Sequence, residues 1–284
     1  MKTETKLVPI TNQAYNQLCQ LILEHSRIHL GPSREGLLTS RLQIRLRELG
    51  LSSWEQYSKL LKDGDNADEI DAMIDLISTN HTQFFREPSH FQRLVDELLD
   101  PLLLRCPDSQ RDLRCWSAAT SSGEEAYSLA MVLSEFASRH GGSPEWSIEA
   151  SDISRKALQR AGTAIYKLDA LHLPSPDWLA RYFQRGTGPY EGQCKVKPVI
   201  KDKVRLNRVN LFQDNYPFNK LFHLIFCRNV LIYFALESQT QLIERLHSKL
   251  VPGGLLVIGH SDSLVHQRHD FISLGGGIYR RGSP

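Results

Sequence analysis

Cysteine is scarce and scattered. Cys19, Cys106, Cys115, Cys194 and Cys227 are five among 284 residues, odd in number, with neither Cys-x-x-Cys nor a zinc-type histidine spacing. That pattern excludes a disulfide framework or a structural zinc module and leads us to expect no metal. Glycine (18) and proline (13) are too few for a collagen-like or low-complexity chain. Long hydrophobic runs are missing as well. The longest, at 221–230 and 253–259, are strand-sized, well short of the roughly 18 residues of a membrane span. Charge of one sign is also lacking, because the net charge is only +2. Wholesale nucleic-acid binding is therefore excluded, and any basic partner surface must be local. Lys2, Glu4 and Lys6 occupy the start without an apolar signal region, so a cytoplasmic location without membrane insertion is expected. No heptad seam is visible, and a monomer is expected.

What is present is a globular composition, 41% hydrophobic and 23% charged, of a length that suggests about two domains. From residue 11 to about 104 the periodicity is helical. Leu18 and Ile22, then Leu38, Leu42, Leu46 and Leu49, recur at three or four residues. Gly31-Pro32 and the stretches 50–53 and 63–66 punctuate the helices. After Arg111 short apolar runs alternate with amphipathic segments, as in an α/β sheet. Strands are predicted at 113–118, 147–151, 221–226 and 254–259, with helices at 124–139, 154–162 and 236–250. The stretch 271–280, around Gly275-Gly276-Gly277, suggests a terminal hairpin or antiparallel edge. Between Tyr182 and Leu211 the alternation breaks. Two β-friendly pieces, 194–200 and 203–209, flank Lys201-Asp202 like the arms of a hairpin, so a small antiparallel insertion at about 184–209 is expected. It should be the least stable part and available for docking. The expected division is a helical domain over 1–90, a linker helix over 91–110 and an α/β domain over 111–284.

Several constellations suit a ligand. Trp116 to Ser128 runs from a buried strand through small residues into a helix beginning Gly123-Glu124-Glu125. With one glycine this is no dinucleotide fingerprint, and paired glutamates favour a ligand carrying positive charge. Ser122 and Glu125 also fit a capping box. Asp152 ends the next strand, where a carboxylate can accept ribose hydroxyls, or can start the helix from Ser154. Residues 80–88 interleave Asn80, Thr82 and Arg86 with two phenylalanines at the expected domain boundary, where ligand sites commonly form. An ordinary helix-to-loop transition explains them equally well. At 226–234 an apolar strand ends in Arg228-Asn229 and continues to Tyr233, either a ligand crevice or a core aromatic. Arg34, Arg41 and Arg45 share one face of a helix, suited to an acidic partner helix or merely to solvent.

Taken in order, the segments 80–91, 116–131, 150–153, 210–211, 225–234 and 252–261 resemble the chemotaxis-receptor glutamate methyltransferases, the CheR family. The similarity spans nearly the whole chain. Thr120 and Ala126 stand where Cys and Pro are frequent, and His81 where an apolar residue is common. The resemblance implies a Rossmann-like S-adenosylmethionine-dependent α/β sheet with an N-terminal all-helical domain and a small inserted antiparallel β-subdomain. It also implies methyl transfer from S-adenosylmethionine to receptor glutamates, giving S-adenosylhomocysteine. Carried over by position, it implies cofactor contacts from Asn80, Thr82, Arg86, Glu125, Asp152, Asn210, Leu211, Arg228 and Asn229. Glu124 stays beside Glu125 as an undivided candidate. Arg86 and Tyr233 would lie closest to the transferred methyl group, and Arg34, Arg41 and Arg45 would read the receptor's cytoplasmic helices. Two other classes fit the cofactor domain alone. One is a methyltransferase acting on another protein, an amine or a small molecule; the other is a non-catalytic S-adenosylmethionine sensor, against which Arg86 and Tyr233 argue.

Overall fold

Leucines at helical spacing form helices only where an apolar face finds a partner, and the four N-terminal helices do so among themselves. They are α1 (Asn12–Ser26), α2 (Glu35–Glu48), α3 (Trp54–Lys62) and α4 (Ala67–Ile77). The computed structural model describes residues 9–31, 33–63, 66–264 and 270–282. Leu18, Ile22, Leu38, Leu42, Leu46 and Met73 are fully buried. Thr11 and Ser53 start α1 and α3 by accepting the Ala14 and Gln56 N–H groups, which satisfies donors the helices leave open. The contacts divide the chain into two units, Met1–Thr79 with Tyr233–Ala235, and Asn80–Ile232 with Leu236–Pro284. Within the first unit, Phe234 bridges to Ile28 and the Tyr233 carbonyl accepts the His29 N–H at 2.9 Å.

The second unit begins at Asn80, eleven residues before the expected start at 91. Its first helices, α5 (Pro88–Arg93) and α6 (Leu99–Arg105), flank a π-helical turn at Leu94–Leu98. The stretch 91–110 is no free linker, because Phe91, Leu94, Leu99 and Leu102 are buried in the same core as the sheet residues Leu224 and Val257. An apolar face that wide is stable only when covered.

The chain continues through β1 (Asp112–Ala118), α7 (Glu124–Arg139), β2 (Glu145–Asp152), α8 (Arg155–Thr163), β3 (Ile165–Lys167), α9 (Asp177–Tyr182) and β4 (Phe183–Arg185). There follow β5 (Gln193–Val196), α10 (Pro198–Lys201), β6 (Val204–Arg208), β7 (Phe222–Phe226), α11 (Leu236–Lys249), β8 (Leu250–Val257), β9 (Phe271–Gly275) and β10 (Ile278–Arg281). Seven strands form one sheet in the order β6-β2-β1-β7-β8-β10-β9. The first five are parallel; β10 is antiparallel to both β8 and β9. β7 is buried along its whole length, as a central parallel strand requires. The terminal hairpin forms where the glycines predict it.

The inserted sheet differs from the expectation. Its three antiparallel strands run in the order β3-β5-β4, drawing in residues 165–167, whereas β6 pairs in parallel with β2 at the edge of the main sheet. Lys201-Asp202 therefore ends α10 and turns no hairpin. Alternating runs look the same whether they close a hairpin or edge a parallel sheet, which is why 203–209 suggested the wrong partner.

Candidate functional site

In a parallel sheet of this kind ligands bind beyond the carboxyl ends of the strands, and the polar residues of the second unit gather there in two groups. The first surrounds Asp152, the last residue of β2. Its Oδ2 accepts the Ser121 N–H at 2.8 Å and its Oδ1 the Ser154 N–H at 2.9 Å. Ser154 itself caps α8 by accepting from the Ala157 N–H. Asp152 thus supports the turn and leaves the capping to its neighbour. The Ser121 hydroxyl donates to the Asn80 carbonyl at 3.0 Å, and the Asn80 amide reaches Ser154 Oγ at 3.5 Å. From β6 the Val209 N–H donates to the Asp152 carbonyl, which brings Asn210 and Leu211 to the same edge. Asn210 Oδ1 accepts the Phe212 N–H and Leu211 is buried.

The capping box foreseen for Ser122 and Glu125 is absent. Gly123, at φ +95°, starts α7 in a left-handed conformation, and a Cβ there would lie 2.9 Å from both Ala161 Cβ and the Tyr166 hydroxyl. The close approach requires glycine. Ser122 instead donates to Glu124 Oε2 at 2.7 Å. Burial pushes both Glu124 and Glu125 above the usual carboxylate range, against the pull of Ser122 on one and Arg228 on the other. Glu124 and Thr82 line a cleft of about 690 Å³ together with Arg160, Tyr166 and Lys167.

The second group surrounds Arg228, which follows β7 and has a side chain only 1% exposed. Its Nη1 donates to Glu125 Oε2 at 3.3 Å, and its Nη2 donates to Glu87 Oε2 at 3.1 Å and to the Arg86 carbonyl. Glu125 Oε1 accepts from Ser117 at 2.8 Å. The guanidinium faces the rings of Phe91 and Phe226 at 5.5 and 5.7 Å, a geometry that favours a buried cation. Asn229 donates through Nδ2 to Glu87 Oε1 and through its N–H to Asp262 Oδ2. Sequence reasoning missed Glu87 and Asp262. Glu87 stood inside the Arg86-Glu87-Pro88 stretch, while nothing marked Asp262.

The Arg86 side chain is half-exposed, and its Nη1 donates to the His81 carbonyl at 3.1 Å. Tyr233 lies in the segment that belongs with the helical unit. The basic face of α2 is largely committed inside its own unit. Arg41 donates to the Ile77 and Ser78 carbonyls and to Thr79; Arg45 holds Glu69, at 2.6 Å for the shortest contact, and Glu48. Arg34 alone of the three is an exposed side chain without a capping bond, at the start of α2.

Thr120 Oγ1 and Arg228 Nε are buried with no hydrogen-bond partner among the described residues. Such orphaned groups at strand ends suit a polar ligand. With the carboxylates of Asp152, Glu124 and Glu125 alongside, the donor set fits a nucleoside that carries positive charge, as S-adenosylmethionine does.

The matches to known proteins agree. The model of the CheR methyltransferase all-alpha domain matches residues 13–78, and that of the CheR methyltransferase SAM binding domain matches residues 80–279. The chain is 36% identical over 275 residues to the chemotaxis protein methyltransferase of Salmonella typhimurium, covering 97% of this chain and 92% of the relative. It is 35% identical to that of Escherichia coli (97% and 93%) and 36% identical to chemotaxis protein methyltransferase 2 of Pseudomonas aeruginosa (95% and 93%). An S-adenosylmethionine-dependent methyltransferase sheet with its helical partner unit is thus present nearly end to end, and the chain belongs to the CheR methyltransferase family.

Proposed function

We propose that the protein methylates the side-chain carboxylates of specific glutamates on the cytoplasmic helices of chemotaxis receptors, acting in the cytoplasm as a monomer without a metal. The observation that carries this reading is the state of Arg86: the guanidinium has no ion pair among the described residues, and its hydrogen bond goes to a neutral carbonyl. A cation so placed is available to an anionic acceptor. Asp152, Asn80, Asn210 and Leu211 would hold the nucleoside end of S-adenosylmethionine, and Glu125, Arg228 and Asn229 its amino-acid end. Thr82 and Glu124 would border it along the cleft. S-adenosylmethionine supplies an electrophilic methyl group on a sulfonium.

The acceptor needs no base, because a glutamate carboxylate is already ionised near neutral pH. One of its oxygens bonds to the methyl carbon as the carbon–sulfur bond breaks, leaving a methyl ester and S-adenosylhomocysteine. Anion and sulfonium neutralise each other on the way, so excluding water and aligning the reactants favours transfer. Arg86 orients the acceptor carboxylate; Tyr233 stays a candidate for this step by the resemblance alone, since it belongs to the other unit. Arg34 at the start of α2 is the candidate contact to acidic receptor helices, with Arg41 and Arg45 on the same face also bonded within their own unit.

Incubation with methyl-labelled S-adenosylmethionine and a chemoreceptor cytoplasmic fragment tests this. Label is expected on the fragment and not on a version whose acceptor glutamates are replaced by glutamine. Equal label on both, or none on either, would overturn the assignment.

A further inference from the structure

Glu87 is held in a conformation that costs a side-chain-bearing residue energy, φ +54°, and it makes more polar contacts than any ordinary turn residue needs. Its Oε1 accepts the Asn229 amide at 3.0 Å. Its Oε2 accepts from Arg228 Nη2 and from the His260 N–H, each at 3.1 Å. One carboxylate thus ties the turn after Phe85 to the turn after β7 and to the loop after β8. Asn229 is itself left-handed, at φ +55°. Strained backbone of this kind persists only where surrounding contacts over-determine it, and it clusters at working sites.

Asp262 grips the same turn from the other side. Its Oδ2 accepts the N–H groups of Asn229 at 2.6 Å and Gly259 at 3.0 Å. Gly259 leaves no slack, because a Cβ there would lie 2.4 Å from Asn229 Nδ2. Arg228 is meanwhile shared between Glu87 and Glu125. Two carboxylates therefore face one guanidinium.

We propose that Glu87, assisted by Asp262, is a positioning residue for cofactor binding: it fixes Arg228 and Asn229 in the orientation that receives the amino-acid end of S-adenosylmethionine. This rests on the assignment of Arg228 and Asn229 to the cofactor. Burial raises the Glu87 carboxyl, but Asn229, Arg228 and the His260 N–H outweigh it and hold the group at about 2, so it stays ionised at every working pH. His90 Nδ1 lies 3.5 Å from Glu87 Oε2, while its Nε2 pairs with the Gly276 carbonyl at 2.7 Å. Glu87, His90 and His260 bring ligating atoms within 4.8 Å of one another, but Arg228 already supplies the cation at that carboxylate.

The test is Glu87→Gln in the full chain, with cofactor affinity read by calorimetry and kcat and KM read on receptor fragment. Loss of a charge-assisted bond predicts a rise of about ten- to a hundredfold in Kd and in KM for S-adenosylmethionine. At saturating cofactor kcat should stay within about threefold, since the residue touches no reacting atom. Asp262→Ala should shift KM the same way, whereas Asp262→Asn, which keeps an acceptor oxygen, should largely restore it. A merely structural role would lower Tm and the active fraction while leaving KM alone, and that result, or an unchanged Kd, would overturn the proposal. If Glu87→Gln does not fold, the contrast between Asp262→Ala and Asp262→Asn decides by the same criterion. Calorimetry needs no acceptor, so weakened binding stands even if receptor methylation fails.

Discussion

Asp152, at the end of β2, holds the backbone N–H of Ser121, beyond the end of β1, at 2.8 Å. Beyond the carboxyl ends of the strands of an open parallel sheet is where ribose hydroxyls are bound, and that is the role proposed for Asp152.

Replacing Asp152 by Ala should therefore weaken S-adenosylmethionine by about tenfold to a hundredfold, the worth of a charge-assisted hydrogen bond pair. Calorimetry checks it, and unchanged affinity would remove the ribose assignment.

The main-chain carbonyl of Arg86 accepts from Arg228, and its side chain is proposed to orient the acceptor carboxylate. Truncation to Ala leaves the former intact. Methyl transfer should fall by about a hundredfold, while cofactor Kd changes by less than about threefold. Equal losses in both would place Arg86 in the cofactor site alone.

The sheet, its long helices and the terminal hairpin were legible because period 2 and period 3.6 differ plainly when a segment has one buried face. The helix at Glu124–Arg139 has the bounds its pattern predicts. Partner choice was not legible. Val204–Arg208 alternates as either a hairpin arm or an edge strand would, and only its pairing with β2 decides. Phe91 and Leu94 show that a segment resembling a linker helix belongs to a core when its apolar face meets the sheet. Asp152, Arg228 and Asn229 could be picked out because they interrupt apolar strands at their ends. Glu87 and Asp262 could not, since their importance lies in contacts across 142 and 33 residues.

Arg45 shows what a helical wheel leaves out. On a helical wheel it shares a face with Arg34 and Arg41, yet it is bound to Glu69, which is 8% exposed and also receives the Tyr57 hydroxyl at 2.9 Å. Arg45→Met would strand that carboxylate, and urea denaturation should show a loss of about 2 kcal/mol. Arg34→Glu should leave stability within about 0.5 kcal/mol and lower turnover on receptor without altering cofactor affinity.

His223 is buried in β7, where Nδ1 accepts the Arg114 N–H at 3.1 Å. Burial first, and the Arg114 guanidinium second, bring its pKa down to about 4. The unfolded chain takes up this proton near pH 6.5, the folded chain only near 4. The contribution is thus complete above about 6.5 and is lost as pH falls toward 4, amounting to about 2 kcal/mol between pH 7 and pH 5. His90, also held at about 4, adds in the same direction; the raised carboxyls of Glu124, Glu125 and Asp262 oppose it. His223→Gln, which keeps an acceptor, should flatten the acid side of the stability profile by about that amount. A profile that keeps its full slope would show that the ring is not neutral in the fold.

The most direct measurement concerns the bond that is made. Chemoreceptor fragment labelled by this protein from methyl-labelled S-adenosylmethionine is treated with mild alkali, and the volatile product is collected. A glutamate methyl ester releases its label as methanol, which is the expected result. Label that stays on the receptor after alkali would mean an acceptor atom other than a carboxylate oxygen and would contradict the assignment of Arg86 to an anionic acceptor.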